Sequence, residues 1–281
     1  MSEERFDPAG LDQWTEEHRF EVTRERIIAY AEATNDPIEA HLAGDVAPPV
    51  FAIVPVFGSL TEPALSAVPL SLFGRIVHGE QDFRFHRPIR PGDVLVSRAR
   101  MTGYEGLPNG TRACVHVESR AEDGALVNEQ HVTFFVPGFD TGEKRGTLAP
   151  GHKLDESPRA APPVAKVSQH VDEDQTFRYA PASGDPMPIH LDEDVARAAG
   201  LPGIIVHGLC TMAFTSWAVL TEVAGGDATR LKRLAVRFTK PVRPGQTLTT
   251  QIWSAGPGAH AYETTVGDTV VIKDGLAEIE G

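Results

Sequence analysis

Apolar and polar positions alternate with period two in two separate blocks of this chain. The first block comprises 75–86, 94–104, 112–121 and 127–136, and the second 231–240, 246–254, 259–267 and 269–279. Such alternation between Gly and Pro signals predicts antiparallel strands. Helical patterning precedes each block. In the first half it predicts a helix over 24–33 and an apolar segment over 50–68. In the second it predicts a short helix through Phe177 and Tyr179, capped by Asp172, with Glu173 and Asp174 in its first turn. The stretch from Gly184 to Pro188 breaks that helix, because Pro186 and Pro188 cannot sit inside one and Gly184 tolerates positive φ. Another short helix is expected over 192–200. Residues 203–223 are mostly apolar and end at Gly225-Gly226, which predicts a central helix wrapped on most sides. Helices first and strands last, in each half, is the α+β layer pattern.

The two halves are copies of each other. YAEATNDPIEAHL from Tyr30 recurs as YAPASGDPMPIHL from Tyr179, with seven of 13 positions identical at an offset of 149. RFHRPIRPGDVL from Arg84 recurs as RFTKPVRPGQTL from Arg237, with seven of 12 identical at an offset of 153. The same order at nearly the same offset predicts a tandem duplication. A long helix against a curled antiparallel sheet is a hot-dog arrangement, so the expectation is a double hot-dog. The seam around 141–163 is rich in Gly, Pro and charge and suits an exposed linker. The predicted boundaries are 1–145, a linker at 146–160, and 161–281.

Composition narrows the function classes. The 281 residues carry a formal charge of −13, which argues against nucleic acid or an anionic membrane as a partner. No apolar run reaches the ~18 residues of a membrane span. The first residues lack an apolar signal core, and Cys114 and Cys210 are too few for a disulfide framework, so a cytoplasmic location is expected. There is no GxGxxG, GxxxxGK[ST] or GxSxG motif. Eleven histidines invite a metal, but none lies at ligand spacing with a partner, so neither metal nor other cofactor is expected.

Three features could carry chemistry. Asp185 and His190 flank a turn stiffened by Pro186 and Pro188, so a carboxylate and an imidazole could share the protons of one water. The plainer alternative is a turn-capping Asp and a partly buried His. His207-Gly208 stands near the start of the central helix, whose free N–H groups would stabilise an enolate-like oxygen. Alternatively, Gly208 only allows close helix–sheet packing. Lys240 and Arg243, in a Pro-Gly turn, could meet phosphates of a nucleotide-bearing substrate, or be solvated. Cys210, in an apolar helix, reads as core.

At these residues the chain resembles a known family. Tyr179, Ser183-Gly184-Asp185, Pro188-Ile189-His190 and Val206-His207-Gly208-Leu209-Cys210-Thr211 look like the signature of the MaoC-like, (R)-specific 2-enoyl-CoA hydratase (hydratase 2) family. The segment 236–248 is similar to its strand-turn-strand, and 77–81 resembles the equivalent strand of two-hot-dog members. The resemblance implies reversible hydration of a trans-2-enoyl-CoA thioester to an (R)-3-hydroxyacyl-CoA. It implies Asp185 and His190 as the catalytic pair, Gly208 as oxyanion donor, and Tyr179, Ser183, Gly184, Pro188, His207, Lys240 and Arg243 around the substrate. One departure is Met187, where the family usually has Asn. Another is the first half: it keeps Asp36 and His41, but aligned on Ala47-Pro48-Pro49 it has Ile53-Val54 in place of His207-Gly208. That half is expected to have lost catalysis and to house the acyl chain, with Phe51, Ile53, Val54, Val56 and Phe57 as tunnel lining or plain core. A hot-dog thioesterase and a non-catalytic acyl-thioester binding subunit are the competing readings. A homodimer is expected.

Overall fold

The computed structural model describes residues 5–153 and 160–281. Ten strands form one continuous antiparallel sheet, with a further short strand beside it. The first half supplies β1 (His18–Glu21), β2 (Val77–Phe85), β3 (Val94–Leu107), β4 (Gly110–Ala121) and β5 (Leu126–Pro137), and the short β6 (Lys144–Gly146) pairs with β3. The second half supplies β7 (Ala165–His170), β8 (Leu231–Phe238), β9 (Thr247–Ser254), β10 (Ala259–Val266) and β11 (Thr269–Ile279). The order is β1-β3-β4-β5-β2-β8-β11-β10-β9-β7. Read outward from the middle, it is the same five-strand order twice.

The middle is the β2–β8 pairing. Asp82 lies opposite Ala235, and the two are themselves equivalent at the offset of 153. A local two-fold therefore passes between a residue and its own copy. The helices obey the same symmetry. Helix α1 (Arg24–Ala33) packs on α4 (Gln175–Ser183), and the duplicated Tyr30 and Tyr179 meet hydroxyl to hydroxyl at 3.3 Å, both fully buried. The double hot-dog is thus a folded pseudo-dimer with one shared core spanning both halves.

Sequence patterning located eight strands and the helices of both halves, with three differences. Asp172 does not cap α4. Asp174 occupies the cap, while Asp172 accepts hydrogen bonds from Arg178 and from Asn35 of the other half. The central helix of the second half, α6 (Gly208–Val223), is a continuous α-helix, but its counterpart is a 3-10 run, Pro49–Ser59, followed by the short α3 (Thr61–Leu65). Pro55 lies inside that run and has no N–H to donate. Phe51, Ile53, Val54 and Val56 on it are core side chains. Finally, part of the stretch expected as an exposed linker is laid against the sheet. His152 is buried, with Nδ1 donating to the Asp274 carbonyl at 2.7 Å, and Arg233 donates to the Gly151 carbonyl at 3.2 Å. Residues 154–159 of that linker lie outside the described residues. Among the described residues no helix is long and apolar enough to cross a membrane.

One ion pair crosses the central seam. The Arg233 guanidinium grips Asp82 at 3.0 and 2.7 Å, and both side chains are buried. Removing one partner strands a buried charge, which costs far more than an exposed pair. Asp82→Ala is expected to lower the unfolding free energy by about 3 kcal/mol in denaturant titration, and a loss below about 1 kcal/mol would contradict this placement.

Candidate active site

Helix α4 ends because Gly184 adopts φ +78°, the left-handed conformation that glycine takes without a Cβ penalty. The chain then turns through Asp185 to Pro188 and enters a 3-10 turn, Pro188–His190. This turn is held from within. Asp185 Oδ1 accepts the Met187 N–H at 3.1 Å, and the Asp185 N–H donates to Ser183 Oγ at 3.3 Å. The Met187 side chain itself is exposed. Position 187 therefore meets the aspartate through its backbone, and the thioether replaces nothing that touches the carboxylate.

His190 is buried and anchored by Ile205, whose carbonyl lies 2.8 Å from Nδ1. A carbonyl can only accept, so Nδ1 carries the proton and Nε2 is left as an acceptor. Burial lowers the His190 pKa from its ordinary value, opposed by the Ile205 carbonyl and by Asp185. Burial raises that of Asp185, opposed by the Met187 N–H and by His190. Each environment disfavours charge, so the two proton affinities shift toward each other, the direction that suits groups exchanging a proton with a bound molecule.

His207 and Gly208 complete the cluster. The His207 ring stacks on His190 with centroids 3.8 Å apart and planes 28° apart, and its Nε2–H donates to the Asp185 carbonyl at 3.2 Å. Burial, reinforced by His190, pushes the His207 pKa down to about 3, so it is neutral. Asp185, His190 and His207 bring one ligand-type atom each within 4.8 Å of one another, a proximity that sequence spacing did not reveal. Gly208 is the first residue of α6, and its N–H has no acceptor within the helix. A Cβ there would meet the Phe238 ring at 3.5 Å, an ordinary contact. Helix–sheet packing therefore does not demand glycine at 208.

The remaining expected residues separate. Tyr179 and Ser183 are buried: Tyr179 packs on His207 at 4.9 Å and bonds Tyr30, and Ser183 supports the Asp185 turn. Gly184 and Pro188 are exposed on that turn. Lys240 and Arg243 are exposed and have no side-chain hydrogen bond among the described residues. Their copies differ. Arg87, equivalent to Lys240, is clamped by Asp93 at 2.8 and 3.0 Å, and Asp93 is Gln246 in the second half. Gln246 keeps the turn bond, accepting the Arg243 N–H at 2.8 Å as Asp93 accepts that of Arg90, but it removes the charge. The second-half cation is left unneutralised. The duplicated motif carried that signal.

The first-half pair is closed. His41 Nδ1 lies 2.7 Å from Asp36 Oδ2, and both residues are buried. Nothing can enter between them. A small, shallow pocket in this half is walled by Ala47, Pro48, Pro49, Phe85, Pro88 and Ile89, with Ala228 of the second half. Phe85, Pro88 and Ile89 are the copies of Phe238, Pro241 and Val242. The Ala47 N–H bonds the Ile89 carbonyl as the Val206 N–H bonds that of Val242, so the places of His207 and Gly208 are held by Pro48 and Pro49, not by Ile53-Val54 as expected from the sequence.

The chain matches two family models, a MaoC-like domain over residues 155–275 and a FAS1-like dehydratase domain region over 11–130. It is 31% identical to 3-hydroxyacyl-thioester dehydratase Y of Mycobacterium tuberculosis, over 97% of this chain and 98% of that one. It is 30% identical to probable enoyl-CoA hydratase 2 of Dictyostelium discoideum, over 73% and 70% of the two chains. The solved MaoC-like dehydratase of Phytophthora capsici superposes with a TM-score of 0.85 at 23% identity, covering 96% of each chain.

The Phe238 contact makes Gly208 testable without any assay. Gly208→Ala is expected to keep its thermal midpoint and its unfolding free energy within about 1 kcal/mol, as for an alanine tolerated in a helix. A loss of several kcal/mol would return Gly208 to a packing role.

Proposed function

Because this chain belongs to the MaoC-like dehydratase family, we propose that it interconverts trans-2-enoyl-CoA thioesters and (R)-3-hydroxyacyl-CoA at Asp185, His190 and Gly208. It is a hydro-lyase. The observation that supports this assignment is the contrast between the two copies of one Asp/His motif. Asp36 and His41 are spent on each other, whereas His190 is tied to Ile205 and leaves its Nε2 and Asp185 Oδ2 without a protein partner among the described residues.

In the hydration direction, the Asp185 carboxylate and His190 Nε2 hold a water over the enoyl double bond. The water's hydroxyl adds to C3 and a proton is delivered to C2, so one molecule of water is consumed. Electron density shifts to the thioester oxygen, where the Gly208 N–H at the start of α6 stabilises it. Dehydration is the same path reversed. Lys240 offers unneutralised charge, with Arg243 as a second exposed cation, to the phosphates of the CoA handle on a protein of net charge −13. The N-terminal hot-dog contributes walls for the acyl chain rather than a second site, since its own Asp36–His41 pair is closed. Pairing of two chains into a homodimer and a cytoplasmic setting belong to this reading, and the free, buried Cys114 and Cys210 suit a reducing compartment. With the Met187 side chain turned outward, no feature of the site favours a non-catalytic binding subunit.

Loss of enoyl-thioester absorbance on crotonyl-CoA tests the assignment. Asp185→Asn and His190→Ala should each lower kcat by roughly 10²–10⁴-fold, the range of general acid–base groups. Activity within about threefold of wild type in either would overturn the role of that residue. The pH profile follows from the two opposed shifts. Adding a proton to the pair removes its acceptor, so kcat should hold above pH 6.5 and fall on the acid side, with a midpoint between the ordinary values of 3.8 for Asp and 6.5 for His. An acid limb centred above pH 6.5 would contradict that arrangement.

A further inference from the structure

We propose that His207 is a positioning residue: it never contacts substrate, and it keeps Asp185 and His190 apart in the geometry the proposed hydration requires. The inference rests on that reading for its kinetic consequence, but on geometry for its substance. His207 lies between Tyr179, at 4.9 Å, and His190, at 3.8 Å, and only about 1% of its surface is exposed. It is joined to all three parts of the apparatus. Its Nε2–H ties the Asp185 backbone, its ring face supports the His190 ring, and its own carbonyl side leads directly into Gly208. Its Nδ1 is buried without a partner, so its solvation has been surrendered for position rather than for a second bond.

The molecule contains its own control. At the equivalent place, the residue that caps the counterpart of α6, the first half has Pro48, which has neither a side-chain donor nor an aromatic ring. There the histidine bonds the aspartate directly, closing the pair at 2.7 Å. An imidazole at 207 and a proline at 48 thus accompany an open and a closed pair in otherwise duplicated motifs. Neutrality matters to the role. A cation stacked on His190 would oppose protonation of that ring, whereas a neutral plate supports both of its protonation states.

Three variants separate the parts of this role. His207→Ile removes both the ring and the donor, His207→Phe keeps a flat ring without the donor, and His207→Gln keeps an N–H donor without the ring. Nitrogen-detected NMR of the histidine side chains, read with and without crotonyl-CoA turnover, gives two independent outcomes. In His207→Ile the His190 ring should leave the Ile205 carbonyl for Asp185, and its titration midpoint should rise, because a carboxylate in contact favours imidazolium. In the same variant kcat should fall on the order of 10²-fold, as misplaced groups do, with KM within about threefold of wild type. His207→Phe and His207→Gln should fall between the two. An unchanged His190 midpoint and kcat in the folded Phe and Gln variants would overturn the proposal, as would a raised KM with unchanged kcat, which marks a substrate contact. A wild-type protein inactive on crotonyl-CoA would overturn the hydratase reading alone, and the NMR comparison would still decide the role of His207.

Discussion

The antiparallel pairing of β2 with β8 is the constraint on which the rest of the molecule depends. It aligns Asp82 with its own copy at 235 and so fixes a local two-fold at the centre of the sheet. Once that register is set, α1 must meet α4, and Tyr30 must meet Tyr179. Neither five-strand sheet then has an open inner edge, which removes the template for pairing with other chains that an exposed edge presents. The cost is a buried Asp82–Arg233 pair across the seam, tolerable because both guanidinium–carboxylate bonds are short and Arg233 finds further acceptors in Gly151 and Glu278.

Duplication gave two copies of one Asp/His turn, and the structure shows how they parted. In the first half the aspartate and histidine bond each other, and His41 Nε2 is left buried without a partner among the described residues. In the second, each is satisfied elsewhere: the histidine by the Ile205 carbonyl, the aspartate by the Met187 N–H. His190 Nε2 and Asp185 Oδ2 have no protein partner among the described residues, and ligand-type atoms of the two residues lie within 4.8 Å of each other. The basic turn parted in the same sense. Exchange of Asp93 for Gln246 keeps the backbone bond of the turn while releasing a cation.

Much of this was legible in the sequence, and the remainder has identifiable reasons. Period-two alternation located β2 to β5 and β8 to β11 because each strand has one face on the core. β1 and β7, short edge strands with mostly exposed side chains, left no such pattern. The repeat at 149 and 153 foretold the double hot-dog, and the resemblance to hydratase 2 pointed to the family. The backbone of the site was not legible. That Met187 would act through its N–H is a matter of backbone conformation, and that Ile205 would offer a carbonyl and His207 would stack on His190 depends on chain paths between residues 15 and 17 apart, which side-chain identity does not encode.

The central claim is that an open Asp/His pair beside a helix N-terminus adds water to an enoyl thioester on one face. Chiral analysis of the product from crotonyl-CoA, with free thiol measured in the same reaction, tests it most directly. The account predicts (R)-3-hydroxybutyryl-CoA with the thioester intact. An (S) product, or release of free CoA in step with substrate loss, would contradict it.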